Sequence, residues 1–155
     1  MSAWRTFGRL TWADRRLLAE AVLCLGLARL SVLSIPFRHL SRRLGAHGRE
    51  SSTVAHAGPT IRMLRDVMWS LQATSRRLPW RCACIEQGIA GMMMLRRRSI
   101  ASTLYLGVAR EGQAGAHATA HAWLRSGHLV VTGAAGRERY TVVATFSDED
   151  DASKP

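Results

Sequence analysis

The sequence predicts an α+β domain in which helices come first and an antiparallel sheet comes last. Three observations carry that expectation. Apolar residues recur at helical spacing through the first half and again from Cys84 toward Arg98, they alternate in twos from Ser102 onward, and short turn signals separate the alternating runs.

The first helix is expected to start behind Thr11, with Asp14 three positions on in capping-box fashion, and to end at Pro36. Its apolar run, "LLAEAVLCLGLA" from Leu17 to Ala28, is read as too short for the roughly 20 residues of a bilayer span. The long charged lead-in before it, with no small-residue cleavage site after it, argues against a signal peptide. Flanking arginines allow a peripheral contact with an acidic lipid surface, although a helix of this kind more commonly docks on its own domain or on a partner protein.

Residues 37–58 lose apolar periodicity and read as a short basic helix followed by a loop. A second long helix is expected over Thr60 to Thr74, where Ile61, Leu64, Met68 and Leu71 share a face. Pro79 interrupts it, and a new helix begins near Cys82 with Ile85, Ile89, Met92 and Leu95 or Arg96 as its buried stripe. Arg96, Arg97 and Arg98 close that helix, where positive charge suits the dipole.

From Ser102 to Val108 the alternation of Leu104, Leu106 and Val108 predicts a half-buried strand. A glycine-rich loop, "AREGQAGA", leads to "TAHAWLR" and then "HLVVT", a hairpin if Ser126-Gly127 is its turn; in that register His121 faces Thr132. "RYTVVATF" supplies a further strand of an antiparallel meander. The expected organisation is an arginine-rich helical lead-in over 1–58 packing on the core, a core over 59–146, and an acidic frayed tail over 147–155.

With 155 residues, 47% of them hydrophobic, one domain with a real core is expected. The cysteines are Cys24, Cys82 and Cys84, an odd set without framework spacing, which points to a reducing, cytoplasmic setting. The net charge of +11, almost all of its positive side arginine, implies an acidic partner.

The chemistry concentrates in "RCACIEQG", Arg81 to Gly88. Cys84, Gly88 and Gly91 fall on one helical face, leaving room for another backbone to approach the sulfur. A cysteine in the first turn of a helix meets unpaired N–H groups, which favour thiolate and can hold an oxyanion. The matching base is a histidine, since imidazole exchanges protons near neutral pH. His121, on a strand beyond the cysteine helix and flanked by alanines, is the best placed, and Thr132 is the candidate to orient it. A zinc site from Cys82, Cys84 and His117 or His121 is the weaker reading, because Cys-x-Cys is the wrong spacing for a structural knuckle.

"LPWRCACIEQGIAGMMMLRRRSIASTLYLGVAR" followed by "AHAWLRSGHLVVTG" resembles the transglutaminase-like leader peptidases of lasso peptide biosynthesis, the microcin-processing B proteins, over roughly residues 77–146. The resemblance implies a transglutaminase- or papain-like cysteine helix packed on a small antiparallel sheet. It carries the nucleophile to Cys84 and the base to His121. The family commonly places an aspartate on the next strand; here that stretch reads "VVTGAAG", so Thr132 takes the place, with Glu138 a more distant candidate.

The implied activity is removal of the leader from a ribosomally made lasso precursor. No winged-helix leader-recognition domain is read ahead of the helices, which implies a separate recognition protein, and the freed core would pass to an ATP-dependent, asparagine-synthetase-like cyclase. The nucleotide belongs to that cyclase, and no cofactor or metal is expected in this chain. Two other functions compete: a non-catalytic scaffold joining precursor, recognition protein and cyclase, and a basic nucleic-acid-binding module, which lacks any recognition-helix motif.

Overall fold

The computed structural model describes residues 10–109 and 119–148. The glycine-rich loop from Arg110, His117 and the tail from residue 149 lie outside the described residues.

Helix α1 (Trp12–Ser34) starts where its cap predicts. The Thr11 hydroxyl accepts from the Asp14 N–H at 3.1 Å, and the Thr11 N–H donates back to the Asp14 carboxylate at 2.9 Å. The backbone leaves the helix at Ile35, one residue before Pro36. The apolar run does not stop near Arg29, however. The helix continues for 23 residues and is long and apolar enough, by length and composition, to cross a membrane, which corrects the reading of it as too short. Its inner face is nevertheless committed to the fold: Ala21, Cys24, Leu25 and Ala28 are buried against α3 (Gly58–Ser75) and α4 (Cys84–Arg96).

Between α1 and α3 the chain forms a single turn of helix, α2 (Phe37–Leu40), a 3-10 turn over Ser41–Arg43, and a two-residue strand β1 (Ala46–His47) where only loop was expected. Helix α3 contributes Leu64, Val67 and Leu71 to the core. Helix α4 is more enclosed than a single stripe predicts: Glu86, Gly88, Ile89, Ala90, Gly91, Met92, Met94 and Leu95 are all buried, because helices cover one side of it and the sheet the other. One hydrophobic cluster runs through α1, α3, α4 and the sheet.

The sheet comprises β1, β2 (Thr103–Ala109), β3 (Ala120–Ser126), β4 (Leu129–Thr132) and β5 (Tyr140–Ser147), all antiparallel, in the order β1-β5-β2-β3-β4. It is not a simple meander. After β4 the chain returns to the free edge of β2, pairing Leu104 with Phe146, and β1 then pairs with β5. Ser147 and Asp148 accordingly belong to the sheet end rather than to a tail: Ser147 is buried and pairs with Thr103, and Asp148 takes Arg96 at 2.6 Å.

Strand β2 is covered on both faces, against the half-buried expectation. Leu104 meets the helices, while Thr103 bonds Ser51 and Tyr105 stacks on Trp123 at 5.4 Å. The buried Arg125 holds this second layer, donating to the Ser51, Ser52 and Gly127 carbonyls, to Glu50 and to the Tyr105 hydroxyl. The hairpin turn is Gly127-His128, one residue later than predicted, with Ser126 opposite Leu129. A bulge then shifts the ladder, so that Arg125 faces Val130 but Leu124 faces Thr132. The predicted pairing of His121 with Thr132 is therefore not formed.

Candidate active site

Helix α4 begins at Cys84, with Ala83 extended at the N-cap. Alanine offers no side-chain acceptor, so the first-turn N–H groups of Cys84, Ile85 and Glu86 are left without a side-chain cap. Such a helix end presents partial positive charge to whatever occupies the space before it. The turn leading in is fixed by two side chains of the helix itself. Glu86 accepts the Ala83 N–H at 3.2 Å, and the Gln87 amide donates to the Cys82 carbonyl at 3.1 Å. The same Glu86 carboxylate pairs with Arg29 of α1 at 3.2 Å, and the Arg29 guanidinium lies 5.8 Å from the centre of the Trp80 ring. The start of α4 is thus tied to α1 and to the segment before it.

The glycines predicted to clear a path beside Cys84 sit against the sheet. A Cβ on Gly88 would lie 2.5 Å from Leu104 Cδ1, and one on Gly91 would lie 2.7 Å from Leu124 Cδ2. Only glycine lets α4 sink this far into the sheet without displacing those leucines. Thr132 follows on the same side, since a Gly88 Cβ would be 3.9 Å from its hydroxyl.

Cys84, His121 and Thr132 all line one cavity of about 580 Å³, walled also by Met68, Trp69 and Val130. Cys84 and His121 are both half-buried. They share this cavity without a thiol–imidazole hydrogen bond between them. The imidazole is held elsewhere: its Nε2 lies 2.9 Å from the Gly133 carbonyl, with Trp123 at 6.0 Å and Tyr140 at 5.0 Å between ring centres. Gly107 stands opposite His121 in the ladder and leaves space for these rings, because a Cβ there would fall 2.9 Å from Tyr140 Cβ.

This corrects the expectation that Thr132 orients the histidine. Its hydroxyl is buried and has no hydrogen-bond partner among the described residues, because the bulge turns it toward α4, while the backbone of the next residue reaches the imidazole. Glu138 sits exposed in the 3-10 turn Arg137–Arg139 and does not line the cavity. A carbonyl oxygen only accepts, so Nε2 carries the hydrogen in this bond and Nδ1 is left as the ring's acceptor. Gly133 has a φ of 71°, and a side chain there would strike the Ala122 carbonyl and lie 2.9 Å from Trp123 Cα.

The other thiols are placed differently. Burial pushes Cys82 above the ordinary thiol range, with the Glu86 carboxylate adding to the effect. Burial does the same to Cys24, helped by Glu20. Among the described residues no three His, Cys, Asp or Glu side chains converge as metal ligands would.

Sequence reasoning missed the parts played by Gly133 and by the Arg29–Glu86 pair. A glutamate three positions after the N-cap was a legible capping signal, but its partner 57 residues away was not. Residues 31–145 match the family described as the transglutaminase-like superfamily. Neither a curated protein nor a solved structure matches the chain.

Proposed function

We propose that this chain, which belongs to the transglutaminase-like superfamily, is a cysteine peptidase that removes the leader from a ribosomally made lasso precursor. One observation carries the reading: Cys84 opens α4 at an end without a capping acceptor, in a cavity that His121 also lines. The motif resemblance around Cys84 and His121 supplies the substrate class.

In this reading the free Nδ1 of His121 takes the proton from Cys84 Sγ in the substrate complex. The sulfur attacks the carbonyl carbon at the leader–core junction, and the first-turn N–H groups of α4 take up the charge developing on its oxygen. As the C–N bond breaks, the imidazolium returns its proton to the departing amine, which becomes the amino terminus of the core. Water activated by the same imidazole then cleaves the thioester, frees the leader carboxylate and restores the thiol. The apolar wall of Met68, Trp69 and Val130 receives a side chain of the leader near the cut.

A separate recognition protein would present the leader, and an ATP-dependent, asparagine-synthetase-like cyclase would receive the core, all in the cytoplasm. The test incubates precursor, recognition protein and either wild type or Cys84→Ala, then weighs the peptides. Cleavage by wild type and none by the variant supports the thiol route; equal cleavage by the variant removes it. An intact precursor with both, bound by both, makes the chain a scaffold.

A further inference from the structure

The largest feature that the peptidase reading leaves unused is the outer face of α1. Seven exposed large hydrophobic residues lie on α1 or just past its end: Trp12, Val22, Leu23, Leu27, Leu30, Leu33 and Phe37, each between 41% and 74% accessible. Leu23, Leu27 and Leu30 follow one another at helical spacing, with Trp12 on the same line and Leu33 beside it. The strip runs the length of a helix of about 34 Å.

Along its middle, Arg29 is paired with Glu86, and Glu20, Asp66, Arg97 and Arg98 border the groove beside Leu23 and Leu27; further basic residues stand at its ends. Arg15 and Arg16 are exposed in the first turns, and Arg38, Arg42 and Arg43 are exposed just beyond the last. The two acids of α1 are engaged elsewhere: Asp14 caps the helix, and Glu20 pairs with Arg97 and Arg98. Apolar side chains in a row, the Trp12 ring at the start and arginines outside both ends match the interface of an anionic bilayer, where acyl chains lie below phosphates; Phe37 itself packs edge-on against Phe146. Two copies of this face pressed together would bring arginine ends onto arginine ends in either orientation. A membrane-crossing pose is opposed by the inner face, whose Ala21, Cys24, Leu25 and Ala28 are core residues.

We propose that α1 is an in-plane membrane-surface helix that seats this domain on anionic lipid, with Leu23, Leu27 and Leu30 entering the acyl boundary and the flanking arginines meeting lipid phosphates. The proposal is independent of the thiol chemistry.

The test sediments the full-length protein with vesicles of phosphatidylcholine alone, or with about one third phosphatidylglycerol, at low salt and at about 0.5 M salt. Wild type is expected to partition onto the anionic vesicles at low salt and to come off as salt rises. Leu27→Glu with Leu30→Glu, both at exposed positions, is expected to lower the bound fraction about tenfold or more while its circular dichroism stays that of wild type. Arg15→Gln with Arg16→Gln is expected to weaken binding to anionic vesicles alone. The proposal fails if wild type ignores the anionic vesicles or if the leucine variant binds as wild type does. It also fails if neutral vesicles serve equally at both salt concentrations. A wild type that elutes as a dimer, which the leucine variant breaks, and that binds no vesicle would make the face a protein interface instead.

Discussion

The His121 imidazole is held by the main chain: its Nε2 lies 2.9 Å from the Gly133 carbonyl oxygen, and the neighbouring Thr132 hydroxyl takes no part. A carbonyl in that position selects the tautomer with the free lone pair on Nδ1, as a carboxylate would, but without neutralising an imidazolium.

Thr132→Val is therefore expected to keep the cleavage rate within about threefold of wild type, whereas Gly133→Ala is expected to lose about tenfold or more. The alanine methyl has no room beside Ala122 and Trp123, so the carbonyl has to move. Rates of precursor cleavage measured on variants of confirmed fold check both; a Thr132→Val loss equal to that of Gly133→Ala would return the orienting role to the hydroxyl.

The thiols are expected to differ in reactivity. Iodoacetamide at neutral pH should modify Cys84 first, because burial raises Cys82 and encloses Cys24 within the core. Peptide mapping of partly alkylated protein reads the order directly. Cys82→Ala should retain cleavage, while Cys84→Ala should drop it by about a thousandfold or more.

Breaking the Arg29–Glu86 pair should be lopsided. The Glu86 side chain is 5% exposed and that of Arg29 is 35% exposed. Arg29→Met leaves a buried carboxylate with only the Ala83 N–H, at a cost of about 2–4 kcal/mol. Glu86→Gln leaves a half-exposed guanidinium that water can reach, at about 1 kcal/mol. Urea unfolding of the two variants gives the order, and a larger loss for Glu86→Gln would contradict it.

Acid should loosen the α1–α4 junction. The Arg98 guanidinium bonds Glu20 at 2.7 Å and, with Arg97, holds its carboxyl below the ordinary range despite the opposing effect of burial. A lowered acid contributes stability that is full above its unfolded pKa of about 4.3, and that is lost as pH falls through the lower folded value. Glu20→Gln should accordingly flatten part of the decline in melting temperature below pH 4.5 or so, while lowering the plateau above it. Parallel declines in both proteins would assign the acid sensitivity elsewhere.

Local chemistry determined much of this protein from the sequence alone. Thr11 and Asp14 set the start of α1, Cys84 opens the helix that follows Pro79, and alternation marks the strands that carry Leu104 and Ala122, because caps, proline and side-chain periodicity act over a few residues. The place of His121 on a strand was legible for the same reason: its Ala-His-Ala-Trp setting is contiguous. What the tertiary structure decided are relations between distant segments. The turn at Gly127-His128, one residue later than the local signal, together with a one-residue bulge at Val131, moved Thr132 away from His121 and left the Gly133 carbonyl as its partner. The return of β5 to β2 closed the sheet, and the docking of α3 and α4 settled which side of α1 is buried and which faces outward. Each turns on register or packing, where a shift of one residue changes which side chain meets which, and no local pattern encodes that choice.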